Sequence, residues 1–414
     1  MKTKTILTAL AFLVAGFSEA LSQNNVKSLQ ECIDLALTNN LTMKSGRVYI
    51  QRAKDLQGTA FNIDKTNVTL SQSPTSGGGP DNVLNVNQAF DFPTVYTTRK
   101  SFLKAETELE RSNLALTRNE VIKSVSEVYY QLLFSKETIY ILQRQDSIYN
   151  KFLYLANAKL RSGETSQLEQ INAERLYNEN KVALQNAGKS YNNIQLILQQ
   201  LLNTDEAINP MEMELPILNA ESLTQEYNPK QTPQGIVLAN SQEVSKKSLT
   251  MIKQGYLPGF NFAIKSQLLL KGFNPYNLDR SRFAKGNFMG FEVGVSVPLF
   301  FGEQRSKTKA ARRDLEISQL KQEEGLLKLE KEYQNKINEF TKAKNTLNYY
   351  AKNGNKQAAE IIRISKISYE KGEIGYVEYI QNLKTAVEIS LQYANAVNDY
   401  NQSIITLNYL QGNK

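Results

Sequence analysis

From Thr94 to Ser162 the chain contains neither proline nor glycine. Roughly 69 residues without a breaker predict one continuous helix, about 100 Å long at 1.5 Å per residue. Such an element cannot bury itself in an ordinary globular core and must lie along others of similar length. Val121, Val125, Val128, Leu132, Ile139 and Leu142 recur along it at intervals of four, three, four, seven and three. That is the seam of a coiled coil rather than the broad apolar face of a globular helix. Gly163 then interrupts, and a second helix is predicted from about Ser166 to Leu202, with Tyr191, Ile194, Leu198 and Leu201 on one stripe.

The chain repeats this plan. Gly372 stands 209 positions after Gly163, and the same shift lays Glu373 on Glu164, Glu378 on Glu169, Ile380 on Ile171 and Ala396 on Ala187. Tyr400 and Asn401 fall on Tyr191 and Asn192, Leu407 on Leu198, and far upstream Val295 falls on Val86 and Phe301 on Phe92. We read an internal duplication, with residues 23–212 as the first copy and 213–414 as the second. Each copy reads helix, strand, strand, helix, helix. The first opens on Ser28, Leu29, Gln30 and Glu31, a capping box followed by a helix to about Ala60.

Asn67 to Gln72 alternates apolar and polar residues with a period of two, and Val83 to Phe90 is a second strand beyond the turn-forming run Pro74 to Asp81. Phe260 to Ile264 and Phe291 to Val297 are their counterparts, separated by a longer basic loop at about Lys271 to Asn287. The second pair of long helices is predicted from about Glu303 to Lys371, with Gly325 and Gly354 inside, and from Tyr376 to Leu410. Between the copies, Asn203 to Pro233 holds four prolines and reads as a connecting segment.

Residues 1–22 read as a secretory signal: Lys2 and Lys4, an apolar run from Ile6 to Phe17, then small residues. The run is too short to span a bilayer, which takes about 20 apolar residues, and no other segment approaches that length. An exported chain without long apolar helices is either soluble or a β-barrel membrane protein. A single cysteine, Cys32, excludes an internal disulfide framework and reads as a small core residue. The absence of histidine removes the commonest general base and metal ligand, and no carboxylate pair forms an enzymatic constellation. Met211 and Met213 flank Glu212, a pair too small to specify a soft metal, so no cofactor is expected. The formal charge is +8, but lysines alternate with glutamates along the helices. A nucleic-acid reader would gather them on one stripe, so that partner is not expected.

These elements, in this order, resemble the TolC-like outer-membrane efflux protein family over essentially the whole mature chain. The residues that carry the resemblance are Ser28-Leu29 through Ala36 to Asn40, Tyr256-Leu257-Pro258 before the third strand, and Val295 through Pro298 to Gly302 after the fourth. Most specific is the run Leu160 to Ser166 with Glu169, echoed by Tyr369 to Gly375 with Glu378. The resemblance implies a mainly α, internally duplicated chain of long antiparallel helical hairpins, with four strands contributed to a barrel shared in a homotrimer. Physics agrees. Four strands cannot close a barrel, open edges are not tolerated in lipid, and three copies bring twelve.

By the same resemblance the chain is an outer-membrane duct, its helical part in the periplasm, partnered by a periplasmic adaptor and an inner-membrane pump, with outer-membrane lipid around the barrel. Gly163, Glu164, Thr165 and Ser166, with Gly372, Glu373, Ile374 and Gly375, become hairpin tips that meet the adaptor. Glu169 and Glu378 become an acidic ring at the tunnel entrance, and Tyr369 an aromatic that holds it shut. The family pattern has a basic residue where Ile374 stands and an acid where Gln381 stands, so a charged latch is not expected here. Two other classes remain open. A periplasmic adaptor has one long hairpin between β-domains, and a structural coiled-coil envelope protein has no use for four alternating strands.

Overall fold

The computed structural model describes residues 25–74, 80–224, 226–267 and 289–412. The signal segment, most of the first strand-to-strand turn and the basic loop at 271–287 lie outside them. In chain order the elements are β1 Val26–Lys27, α1 Leu29–Asn39, α2 Leu41–Gln57, β2 Asn67–Pro74, β3 Pro80–Phe90, α3 Pro93–Ser162 and α4 Gln167–Leu202. Then follow β4 Asn209–Pro210, α5 Pro233–Lys253, β5 Gly259–Gln267, β6 Met289–Ser296, α6 Gly302–Tyr349, a π-helical turn Tyr350–Gly354, α7 Asn355–Glu370 and α8 Tyr376–Gln411. Two compact units result. One comprises Met1–Lys44, Thr117–Thr232 and Lys328–Lys414; the other Ser45–Leu116 and Pro233–Leu327.

In the first unit the Ser28 capping box forms as read. The Ser28 oxygen accepts from the Glu31 amide, and the Glu31 carboxylate accepts from the Ser28 amide at 2.7 Å. The helix predicted from there to Ala60 is in fact two. It breaks at Asn40, whose ψ of 132° leaves the helical region. The Asn40 side chain compensates for the break: its oxygen accepts from the Thr42 amide at 2.9 Å and caps α2, and its amide donates to the Leu201 carbonyl at 2.9 Å. Asn40→Ala should therefore cost about 2 kcal/mol, a lost cap plus an unpaired buried carbonyl. A lowered melting temperature of the purified protein checks it, and an unchanged one would remove Asn40 from the account.

Cys32 is fully buried, and burial pushes its thiol up to about 11. Of the stripe read as a seam on α3, Val121, Val125, Leu132 and Leu142 are buried, while Val128 and Ile139 are half-buried. At the end of α4 it is Leu198 and Leu202 that are buried, with Leu201 half-buried beside them. The connecting segment is held by polar anchors. β1 and β4 pair in parallel, and the buried Tyr129 hydroxyl donates to the Lys27 carbonyl at 2.9 Å, accepts from the Met211 amide at 3.2 Å and contacts the Glu212 carboxylate. Asn401, fully buried on α8, accepts from the Leu218 amide at 2.9 Å and donates to the Pro216 carbonyl at 2.7 Å.

The helical stretch predicted from about Glu303 to Lys371 contains the π-helical turn at Tyr350–Gly354. At Gly354 a Cβ would meet the Tyr350 ring at 2.7 Å and Ile389 at 3.4 Å, so glycine here permits the close approach. An extra residue in the turn is how a π-bulge absorbs a local packing mismatch.

The second unit holds a four-stranded antiparallel sheet in the order β2-β3-β5-β6. Its register sorts the two faces. On one, Val68, Val86 and Ile264 align across the strands, as do Phe262 with Val293 and Phe260 with Val295. Val68, Leu70, Phe291, Val293 and Val295 on this face are each more than half exposed. The other face carries Thr69, Asn85, Asn87, Asn261, Lys265 and Glu292, with Lys265 and Glu292 ion-paired between neighbouring strands. Period-two alternation produces this two-faced sheet. Among the described residues β2 and β6 each have one neighbour, so both outer edges are unpaired.

Candidate functional site

The two places where long helices reverse are built alike, both within the first unit. Gly163 follows α3 at φ +77° and Gly372 follows α7 at φ +76°, the left-handed region that glycine enters without Cβ strain. At the first, the Gly163 amide donates to Leu160 at 3.1 Å and the Glu164 amide to Lys159 at 2.9 Å. At the second, the Gly372 amide donates to Tyr369 at 3.1 Å and the Glu373 amide to Ser368 at 2.8 Å. These are paired Schellman closures, which satisfy carbonyls that a helix end otherwise leaves orphaned.

The helices that leave the turns start differently. Ser166 caps α4, its oxygen accepting from the Glu169 amide at 3.3 Å. Gly375 precedes α8 with no side-chain cap, and the nearby Ser368 hydroxyl donates to the Glu373 carboxylate at 2.9 Å. Glu169 and Glu378 both occupy the first helical turn, where the amide dipoles favour a negative charge. Glu378 is exposed and Glu169 half-buried. Glu164 and Glu373 are exposed, Ile374 is half-buried, and the Thr165 hydroxyl is buried with no hydrogen-bond partner among the described residues.

What joins the two helix pairs is aromatic. Tyr149, Phe152 and Ala156 of α3, Ala173 and Leu176 of α4, and Tyr376, Ile380 and Leu383 of α8 form one buried cluster. Phe152 stacks on Tyr376 at 4.5 Å, and Tyr369 stacks on Tyr379 at 4.7 Å with planes 8° apart. Lys159 reaches across from α3: its ammonium lies 5.3 Å over the Tyr369 ring and donates to the Tyr369 hydroxyl at 3.4 Å. The Tyr376 hydroxyl is buried without a hydrogen-bond partner, and its acidity is suppressed first by burial and then by the nearby Glu169 carboxylate.

The ion pairs of this region are local, namely Arg175–Glu179, Arg363–Glu360, Lys366–Glu370 and Lys371–Glu373. Among the described residues none links one helix pair to the other. Sequence reading picked out Tyr369 but missed Phe152, Tyr376, Tyr379 and Lys159. Their signal was present in the i, i+3 aromatic pairs 149/152 and 376/379. It could not be assigned, because the two halves of the cluster lie more than two hundred positions apart.

Several solved structures share the fold. CusC, described in connection with transmembrane channel formation, superposes with a TM-score of 0.77 at 13% identity, covering 95% of this chain and 96% of its own. The outer membrane protein VceC from Vibrio cholerae gives 0.75 at 13% identity, covering 93% and 96%. The CmeC outer membrane channel from Campylobacter jejuni gives 0.70 at 15% identity, covering 93% and 85%. No curated protein sequence matches the chain. Residues 273–413 match the family model described as outer membrane efflux protein. That stretch holds the fourth strand and the second pair of long helices, and the rest of the described chain has the same fold as these channels. Over residues 273–413 the chain is thus similar in sequence to outer membrane efflux proteins, and the described residues share the fold of outer-membrane channels.

Proposed function

We propose that this protein is the outer-membrane duct of a tripartite export system. Three copies close a twelve-stranded barrel, and their helices continue it into the periplasm as a tunnel fed by an inner-membrane pump through a periplasmic adaptor. The observation that carries the reading is the sheet: one face apolar and exposed, the other polar, and both outer edges unpaired. In lipid such edges cost several kcal/mol for each orphaned backbone group, and pairing β2 of one copy with β6 of the next removes them. Detergent-extracted mature protein should accordingly be a trimer in light scattering. A stable folded monomer would overturn the architecture.

Gly163 to Ser166 and Gly372 to Gly375 are read as the adaptor-facing tips, with Glu169 and Glu378 as the acidic ring just inside and Tyr369 as part of the closure. The matching turns at a spacing of 209 support an origin by duplication. At either glycine a Cβ would meet nothing within 4 Å, so the cost of a side chain there is backbone strain alone, about 1–2 kcal/mol. Gly163→Val and Gly372→Val should impair export of a pump substrate while trimer and membrane insertion stay intact. Unchanged export in both variants would remove the tips from the adaptor contact.

A further inference from the structure

All four strands of the sheet join helices at the same end. The turn after α2 leads into β2, β3 into α3, α5 into β5, and β6 into α6. This end carries two kinds of exposed side chain. The first is apolar: Phe61, Ile63, Leu299 and, at 92% exposure, Phe300. Phe61 stacks on Tyr96, and Phe301 packs on Tyr256, each at 5.9 Å. Large apolar side chains gathered at one end of a sheet and left in water mark an interaction surface.

The second is cationic. Residues 302–313 hold Arg305, Lys307, Lys309, Arg312 and Arg313 against Glu303 alone, and residues 93–104 hold Arg99, Lys100 and Lys104 with no acid. Lys307 is paired with Glu303 and Arg99 with Asp91. Arg305, Lys309 and Arg312 are exposed, have no ion-pair partner among the described residues, and share one face of α6 at i, i+4 and i+7. Thr308 and Ala311, on the other side of the helix, are buried.

We propose that this stripe binds the phosphates of anionic phospholipids in the leaflet next to the helical part, with Leu299 and Phe300 set among the acyl chains. The inference rests on the membrane placement of the sheet given above. Arg305 and Lys309 lie roughly 6 and 12 Å along the helix from Phe301. The headgroup layer occupies about 5–8 Å beyond the hydrocarbon edge. Both side chains are long enough to reach back to that layer, keeping their stems on apolar surface. A guanidinium also matches the geometry of a phosphate. Another copy of the chain is a poorer occupant, since two acids at this end, Asp91 and Glu303, are already paired and few remain to meet three free cations.

The test is the lipid that the trimer retains. Wild-type protein is reconstituted in vesicles of equal parts phosphatidylcholine and phosphatidylglycerol, extracted with mild detergent, and its bound lipids are identified by mass spectrometry. Phosphatidylglycerol should be enriched at least about fivefold over the bulk ratio, the effect expected of one cation at an anionic surface. Arg305→Gln with Lys309→Gln should bring the ratio back towards bulk. Arg111→Gln with Lys321→Gln, the same change of charge farther along α3 and α6, should leave it enriched. Bulk-ratio lipid on the wild type, or unchanged enrichment in the first variant, overturns the proposal. Loss of the trimer in that variant overturns it too, because the stripe would then be a contact between copies. Failure of the wild type to insert at all defeats the membrane placement first and is read separately, from flotation of the vesicles.

Discussion

Replacing Phe152 by alanine should destabilise the junction of the two helix pairs by about 3–5 kcal/mol, the usual cost of a phenylalanine taken from a packed core. Phe152 is 5% exposed and touches three tyrosines of the other pair, Tyr369, Tyr376 and Tyr379. Its loss leaves a void among the rings of this cluster. The ion pairs nearby run within single helices or turns, so among the described residues no ion pair compensates. Amides of residues 149–176 and 369–383 should lose protection in hydrogen exchange, and single channels in planar bilayers should open more often if this junction holds the entrance shut. Lys159→Met removes an exposed cation–π contact and a long exposed hydrogen bond to the Tyr369 hydroxyl and should cost about 0.5–1 kcal/mol. Equal effects of the two substitutions would mean that the aromatic cluster is not the joint.

Exchanging Glu169 and Glu378 together for glutamine should shift the ion preference of the channel. On the trimeric duct proposed above, these glutamates would supply two carboxylates from each copy to a narrow site with low-dielectric walls, an arrangement that concentrates cations and repels anions. The wild type should therefore prefer cations in spite of a formal charge of +8 per chain, and the double variant should prefer them less. The difference should fade with salt, as the screening length falls to about 10 Å at 0.1 M. Glu323, an exposed residue on α6, is the control and should change nothing. Reversal potentials across a salt gradient decide the matter, and identical values for wild type and double variant would mean that Glu169 and Glu378 merely face solvent. Glu169 has a second neighbour in the buried Tyr376, so single variants should separate its packing role from any effect on permeation.

Much of the fold was legible because it depends on local chemistry. A helix without breakers needs only its own residues to declare itself, and α3 starts and stops within a residue of the proline- and glycine-free run. Gly163 and Gly372 could be read as turns because a positive φ selects glycine whatever surrounds it. The four strands announced themselves through alternation, which is also what gives the sheet one apolar and one polar face.

Tertiary structure decided what depends on a partner distant in the chain. The break at Asn40 is invisible in a run that reads as helix; the Leu201 carbonyl, 161 residues away, is what the asparagine reaches. Asn192 and Asn401 occupy equivalent places under the 209-residue shift, yet Asn192 is exposed and Asn401 is fully buried. The difference lies in the connecting segment, which packs Leu218 and Pro216 onto α8 and leaves their backbone groups to be satisfied there. The aromatic joint follows the same rule. Phe152 and Tyr376 are each ordinary apolar positions on a helix, and they become a joint only when two hairpins bring them to 4.5 Å. The sequence determined the helices, turns and strands, because backbone preference and periodicity act over a few residues. Which residues tie them together was settled by packing and by the need to pair buried polar groups, which act across the whole chain.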